Sequence, residues 1–304
     1  MTVLEAIQKS TEFLGKKNVG SPRLQTELLL AHLLKMPRMK LYLNFDRVLT
    51  ASETDALREL VKRRGQREPL QHIVGSTSFC GFDIAVNRHA LVPRPETELL
   101  AESGWNFLVT RHSPPVTALD FGTGTGCIAI ALATKCPNVK IVAIDISAGA
   151  LVLAKENAKK NNVAEKIIFL GGDGFEALQS VGQASRLSPF EIKKSETGAT
   201  PVLQFDLIIS NPPYIPSAEI ETVDPEVRDF DPRAALDGGA DGLDFYRKLA
   251  KEAKAFLKPD GKIMMEFGDG QADAIKKIFE NEKWIVEAVK EDYSQRARVL
   301  VAKL

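Results

Sequence analysis

"ALDFGTGTGCIAIAL", residues 118–132, reads as a strand, a glycine turn and a helix in direct succession. Gly122, Gly124 and Gly126 let the backbone come close to a ligand, because no Cβ stands in the way. The spacing overlaps the dinucleotide pattern G-x-G-x-x-G but does not complete it. With Gly122 and Gly124 as its first two glycines, that pattern needs a third at 127, where the chain has Cys127. No G-K-[ST] follows, so a phosphate-binding P-loop is excluded. Asp120, at the strand end, suits a ligand that carries an amine near the turn. Tight packing alone is the competing explanation of the glycines.

Outward from this turn, short apolar runs alternate with helical patterns: "KIVAID", "ALVLAKENAKKN", "KIIFLGG", "FDLIIS", "FYRKLAKEAKAFL", "GKIMMEFG" and "ADAIKKIFE". Runs apolar throughout, interleaved with helices, predict an open α/β sheet covered on both faces. The last two strands, near 284–290 and 297–303, are joined by a short polar link and are expected to form an antiparallel pair. Residues 179–203 lack periodicity and read as a long surface insertion.

The next two strands end in acids. Asp145, closing "VAID", either accepts two hydrogen bonds from ribose hydroxyls or caps the helix that follows. Asp173, in "GGDGFEAL", either meets an adenine amino group or caps a turn. A ligand with ribose, adenine and an amino-acid tail is S-adenosylmethionine, and its methyl is expected at the carboxyl ends of the strands beside the fourth.

That fourth strand runs into "SNPPYIP", residues 210–216. A planar NH₂ group has two N–H donors. The Asn211 side-chain oxygen and the Pro212 carbonyl can accept one each, in one plane. The Tyr214 ring can stack over the group. Pro212 and Pro213 fix φ, so these acceptors need little further ordering. The chemistry predicted is methyl transfer to a planar nitrogen, resting on placement and fixed dipoles. No general base is named by the sequence. Asp231 and Glu96 are not assigned that role merely for being acidic.

The first 75 residues are a different kind of chain. "TVLEAIQKSTEFL" sets Val3, Leu4, Ile7, Phe13 and Leu14 at roughly helical spacing. "SPRLQTELLLAHLLKM" begins with Ser21 as cap and Pro22 as first helical residue. "SETDALRELVKRRG" offers Ser52 as a cap with Asp55 three residues on. Residues 1–75 hold 13 Lys and Arg against 8 Asp and Glu, an excess of five. The whole chain has 40 of each, so the rest is acidic by the same amount. A small basic helical domain either presents a charged partner surface or is simply well solvated. "FCGFDIAVNRHALVP" then alternates Phe82, Ile84 and Val86 before Asn87, as a hairpin does. The resulting division is a helical domain over 1–75, a hairpin linker over 76–95 and an α/β domain over 96–304.

Neutral total charge argues against a general nucleic-acid binder. Cys80, Cys127 and Cys136 lack metal spacing and suggest no disulfide framework. No metal site is expected. No basic-then-apolar leader and no 18-residue apolar stretch are found, so a cytoplasmic protein without a membrane partner is expected.

Taken together, "EPLQHIVG", "LVPRPETELL", "LDFGTGTGCIAIALA", "VAIDIS", "NPPYIP", "DPRAALDGGADGLDFYRKL" and "RARVLVA" carry a resemblance that spans nearly the whole chain. The chain resembles the HemK/PrmC family, the protein-(glutamine-N5) methyltransferases of peptide chain release factors. "NPPY" alone is shared with adenine-specific DNA methyltransferases; "PRPETE" with "ALDGGADGLDFYR" is more specific. The resemblance implies a seven-stranded class I S-adenosylmethionine-dependent methyltransferase fold behind an N-terminal helical domain. It implies methylation of the glutamine amide in the GGQ motif of release factors. Separately, a monomer that forms no stable DNA complex is expected. Cofactor contact then falls on Asp120, Gly122, Thr123, Gly124, Gly126, Asp145, Asp173 and Asn211. The glutamine site falls on Asn211, Pro212, Pro213 and Tyr214, with Arg94, Glu96 and Thr97 from the segment lining the pocket. "DGGADGL" is expected as a wall over the substrate, the competing reading being a flexible turn. Two rivals remain: a DNA adenine N6-methyltransferase, favoured by "NPPY" and the basic N-terminal region, and a catalytically inactive release-factor-binding module.

Overall fold

The computed structural model describes residues 1–111, 115–179, 192–193 and 202–304. The chain divides into two units: Met1–Thr77 with Val223–Phe230, and Ser78–Thr222 with Asp231–Leu304.

The first unit is helical: α1 (Val3–Lys16), α2 (Pro22–Leu33), α3 (Arg38–Leu41), α4 (Ala51–Gly65) and α5 (Leu70–Val74). Val3, Ile7 and Leu14 are buried as their spacing demands, whereas Phe13 is exposed. Two of the expected caps are not the ones used. The cap of α4 is Thr50, not Ser52; Thr50 and Glu53 satisfy each other's backbone N–H groups in a capping box, which starts the helix one residue before Ser52. Pro22 does occupy the first turn of α2, but Ser21 sits in left-handed backbone and its side chain makes no cap bond. Buried Glu27 binds Arg23, Arg38 and Tyr42 together.

The segment Val223–Phe230 belongs to this unit through Glu226, which accepts from Arg64 at 2.6 Å and Arg67 at 2.5 Å. It contains α10 (Pro225–Arg228). It brings three acids and one base, so the unit's excess positive charge falls from five to three.

The division between the units falls within the first strand of a hairpin, β1 (Ser76–Phe79) and β2 (Phe82–Ala85). Its turn is Cys80–Gly81, both at positive φ, rather than Asn87. Phe79 and Ile84 are buried in the same core as α6 (Thr97–Leu108) and α7 (Cys127–Lys135). Asn157 of α8 (Ala148–Lys160) bonds both the N–H and the C=O of Ala85.

The sheet is built from β3 (Val116–Phe121), β4 (Val139–Asp145), β5 (Ile167–Gly171), β8 (Phe205–Ser210), β9 (Leu257–Glu266), β10 (Ile285–Glu291) and β11 (Ala297–Lys303). The two-residue strands β6 (Ile192–Lys193) and β7 (Val202–Leu203) pair antiparallel outside it. The rest of the expected surface insertion lies outside the described residues. Strand order is β10-β11-β9-β8-β3-β4-β5. The last five in this order run parallel, and β11 is antiparallel to both β9 and β10. Two cores explain why β3 and β8 read as unbroken apolar runs. Leu119, Val142 and Ile208 enter one; Ala118, Ile141 and Leu207 enter the other. The chain leaves β3 first towards β5 and later returns to its other side at β8, so the carboxyl ends of β3 and β8 border a switch point, where open α/β sheets bind ligands.

Helix α6 starts at Thr97, with Glu96 in the cap position and Glu98 in the first turn. Glu98 accepts from the Cys80 N–H at 2.7 Å, which ties the hairpin to α6. Gly104 lets α6 lie directly on β8: a Cβ there would stand 2.9 Å from Ile209 and 3.1 Å from Leu132. Gly104→Ala is therefore expected to destabilise the protein by about 1–3 kcal/mol through overpacking, measured by urea unfolding against the wild type.

Candidate active site

The ends of β3, β4, β5 and β8 meet at the switch edge, joined there by residues from 89–97 and 232–235. The turn after β3 is held down by two bonds, from the Gly122 and Thr123 N–H groups to the Ile144 carbonyl. Gly122 and Gly124 have φ of +73° and +55°. A Cβ on Gly122 would meet nothing within 4 Å, and one on Gly124 only Ala90 at 3.9 Å. Their bare backbone faces an open cavity, lined also by Thr123, Thr125, Asp145, Asp173, Arg94, Thr97, Asn211 and Pro213. Gly126 has another purpose. Its missing Cβ would lie 3.1 Å from Ala154, so it lets the start of α7 pack on α8, and it does not line the cavity.

Asp145 holds the turn from the next strand. One carboxylate oxygen accepts from the Gly124 N–H and the other from the Ser147 N–H, both at 2.8 Å. The cap of α8 is the Ser147 side chain, so Asp145 is not needed for that. Each of its oxygens keeps lone-pair capacity towards the cavity. Asp173 faces the cavity as well, with its Oδ1 accepting from Lys248 at 2.8 Å.

Asp120 is placed differently. It is completely buried behind the turn and does not line the cavity. Its Oδ2 accepts from the Thr123 hydroxyl at 2.6 Å and the Ala129 N–H at 3.2 Å; its Oδ1 has no partner. Burial pushes its pKa up to about 7, against the pull of those two donors.

At the end of β8 the Ser210 hydroxyl donates to the Phe121 carbonyl, locking β8 to β3 where both strands stop. Asn211 follows, and its Nδ2 donates to Thr97 Oγ1 at 3.0 Å. Pro213 lines the cavity beside it, whereas Pro212 is buried and, like Tyr214, is not part of the lining. Burial pushes the Tyr214 phenol up to about 12, so it stays neutral. The backbone after Tyr214 is pinned by "DGGADG". Ile215 N–H bonds Leu236, Gly238 N–H bonds Ile215, and Gln271 donates to the Tyr214 carbonyl. Gly242 is required there, since a Cβ would come within 2.4 Å of that carbonyl oxygen. The glycine-rich stretch thus packs on the "NPPY" corner.

Arg94 lines the cavity and pairs with buried Asp231 at 2.6 Å. Asp231 also accepts from the Val92 N–H. Burial raises its pKa, with Arg94 opposing. This pair ties "PRPETE" to "DPRAAL". Glu96 is exposed and outside the lining. Arg233 reaches Glu221 and Asp237 on the surface.

Two charged residues at this edge escaped the sequence reading. Lys248, three residues beyond Phe245, engages Asp173. Glu266 ends β9 and is 2% exposed. Burial raises its pKa to about 7, opposed by the Thr97 hydroxyl and the Asn211 amide that face it and by Arg298. Its signal was available: an acid ends an otherwise apolar strand, as Asp145 does. Among the described residues no group of three or more His, Cys, Asp or Glu is placed to hold a metal, and no helix is long and apolar enough to cross a membrane.

This geometry matches known proteins on both sides of the domain division. Residues 5–75 match the PrmC N-terminal domain, and residues 112–300 a methyltransferase domain. A release factor glutamine methyltransferase of Geobacter sulfurreducens is 40% identical, over 91% of this chain and 88% of its own. The chain belongs to the release factor glutamine methyltransferase family. Another family member, from Rhodospirillum rubrum, is 39% identical over 94% of this chain and 80% of its own. The hMettl16 catalytic domain, solved with an RNA hairpin, shares the fold at 13% identity, with a TM-score of 0.51 over 84% of this chain and 82% of that one. The class I methyltransferase fold and the N-terminal helical domain expected from the sequence are both present.

Asp120, like Glu266, is a buried acid with a raised pKa. Its folded-state pKa is above the ordinary carboxylate value, so the folded protein binds the extra proton. Its contribution therefore favours folding at low pH and is lost as pH rises from about 4 to about 7. Asp120→Asn, which imitates the protonated group, is expected to flatten that part of the stability–pH curve, measured by denaturation between pH 4 and 8. An unchanged slope would count against a buried, proton-binding Asp120.

Proposed function

We propose that this chain transfers a methyl group from S-adenosylmethionine to the side-chain amide N5 of glutamine in the GGQ motif of peptide chain release factors. The observation that carries the reading is the commitment of the Asn211 NH₂ to Thr97. It leaves Oδ1 as the acceptor at a cavity shared with the glycine turn and two carboxylates.

The residues suit the cofactor. Bare backbone at Gly122, Thr123 and Gly124 admits close approach, and Asp145 has lone pairs left for ribose hydroxyls. Asp173 would take the adenine amine, exchanging its contact with Lys248 for it. Asp120 and Gly126 support the turn from behind. When bound, S-adenosylmethionine supplies an electrophilic methyl on a sulfonium centre.

The chain's own part is to present a flat nitrogen. Asn211 Oδ1 accepts an amide N–H bond at the cavity, beside Pro213; Pro212 and the neutral Tyr214 ring stand behind this lining and keep the corner rigid. Thr97 orients Asn211, Arg94 braces the wall through Asp231, and Glu96 acts only through its charge. Asp231 is occupied by Arg94 and the Val92 N–H, which disfavours it as a base. The rate gain comes from fixed placement and dipoles.

A release factor is the partner in this reading, with the helical unit as the substrate-binding domain. A monomer acting in the cytoplasm, with no stable DNA complex and no membrane, is sufficient. The same NH₂ geometry suits a flipped adenine. Family membership favours the protein substrate over both DNA and an inactive binding module.

Labelled-methyl transfer to a release factor and to DNA distinguishes these readings, with Gln→Ala in GGQ abolishing the protein signal. Asn211→Ala is expected to lower kcat on the order of 10²–10³-fold, with cofactor affinity by calorimetry nearly unchanged. Asp145→Ala is expected to weaken cofactor binding first, by about tenfold to a hundredfold. Equal loss of binding and transfer in Asn211→Ala would overturn the assignment.

A further inference from the structure

The Glu266 carboxyl serves no purpose in the mechanism above, yet it is 2% exposed and its Oε2 has no hydrogen-bond partner. A buried acid in that condition is costly, and its strand neighbours Met264 and Met265 are buried apolar residues. Its place is tightly fixed. β9 runs parallel to β8 with Met265 beside Ser210, which puts Glu266 level with Asn211. Val299 of β11 flanks it on the other side, and the buried Tyr246 hydroxyl donates to its carbonyl at 2.9 Å.

We infer that Glu266 is a positioning residue that decides which way round the Asn211 amide faces, acting on it directly and through Thr97. This rests on the functional reading above for why the orientation matters. The two ends of an asparagine amide have nearly the same shape, so packing alone does not choose between them. Only their partners do. Thr97 Oγ1 accepts from Asn211 Nδ2 and therefore turns its own proton elsewhere; the Glu266 carboxyl faces both groups. An ionised carboxylate is an acceptor only. It favours the Asn211 NH₂ end and disfavours the oxygen end, which leaves Oδ1 aimed at the cavity. With the amide flipped, Nδ2 would meet the substrate NH₂ donor to donor, and Oδ1 would meet the carboxylate acceptor to acceptor. The charged and titratable groups acting on Glu266 are Glu96, Arg298, Tyr214 and Tyr246. Its elevated pKa makes the device sensitive to pH near neutrality: protonation turns one carboxyl oxygen into a donor and erases the preference.

The test uses the full chain. Side-chain ¹⁵N NMR of Asn211 in the wild type is expected to move between pH 6 and 8, and to lose that dependence in Glu266→Gln, which keeps the shape but can donate. The wild-type titration alone remains informative if the variant does not fold. With a release factor as substrate, Glu266→Gln is expected to lose kcat on the order of a hundredfold, with cofactor Kd held and with the acidic limb of the pH–kcat profile abolished. Thr97→Ser is expected to retain kcat where Thr97→Val loses it. An Asn211 amide indifferent to pH, or a Glu266→Gln enzyme with wild-type kcat, overturns the inference. A wild type with the NMR coupling intact that methylates no glutamine overturns the functional reading instead, and leaves the orientation of Asn211 by Glu266 standing.

Discussion

One hydrogen bond joins the end of β8 to the start of α6 at the cavity, from the Asn211 amide to the Thr97 hydroxyl, across 114 residues of sequence. Each end is delivered by a separate piece of architecture. Asn211 stands where β8 stops, and β8 is locked to β3 by the Ser210 hydroxyl. Thr97 stands where α6 starts, and α6 lies against β8 through the missing side chain of Gly104. The bond has the right length only if helix and strand sit at the right separation. Core packing of the second unit is thereby converted into the aim of a single oxygen.

Much of this was legible from residue order. A strand, three glycines and a helix specify a close-approach turn, and acids at the ends of the next two strands mark the same edge. "NPPY" placed Asn211 and Pro213 at that edge, and both line the cavity. What remained hidden depended on distance in sequence. Nothing local distinguishes Asp120, buried behind the turn with one oxygen unpartnered, from Asp145, which faces the cavity; both end apolar strands. The same ambiguity concealed Glu266. Thr50 and Ser52 compete as caps two residues apart, and only the reciprocal bond with Glu53 separates them. Gly126 resembles Gly122 and Gly124 in the string but packs against Ala154.

The charge of the N-terminal region illustrates a different limit. Residues 1–75 look like a strongly basic module, yet its cations are widely paired. Arg23 and Arg38 share Glu27, Arg63 holds Glu68, and Arg64 and Arg67 share Glu226 from far along the chain. Composition counts charge by position in the sequence, whereas the field outside the unit depends on what each charge sits beside. The buried arginine Arg64 is an internal fastener rather than an offered contact.

The place of β11 has a consequence for biosynthesis. It follows β10 in the chain but is inserted between β10 and β9. While a nascent polypeptide is still being extended, residues 297–303 arrive after every other strand, and the flank of β9 remains an open edge until they dock. Such edges invite pairing with other chains. Docking of this one short segment therefore covers the flank of the strand that carries Glu266 and leaves β10 as the outer margin.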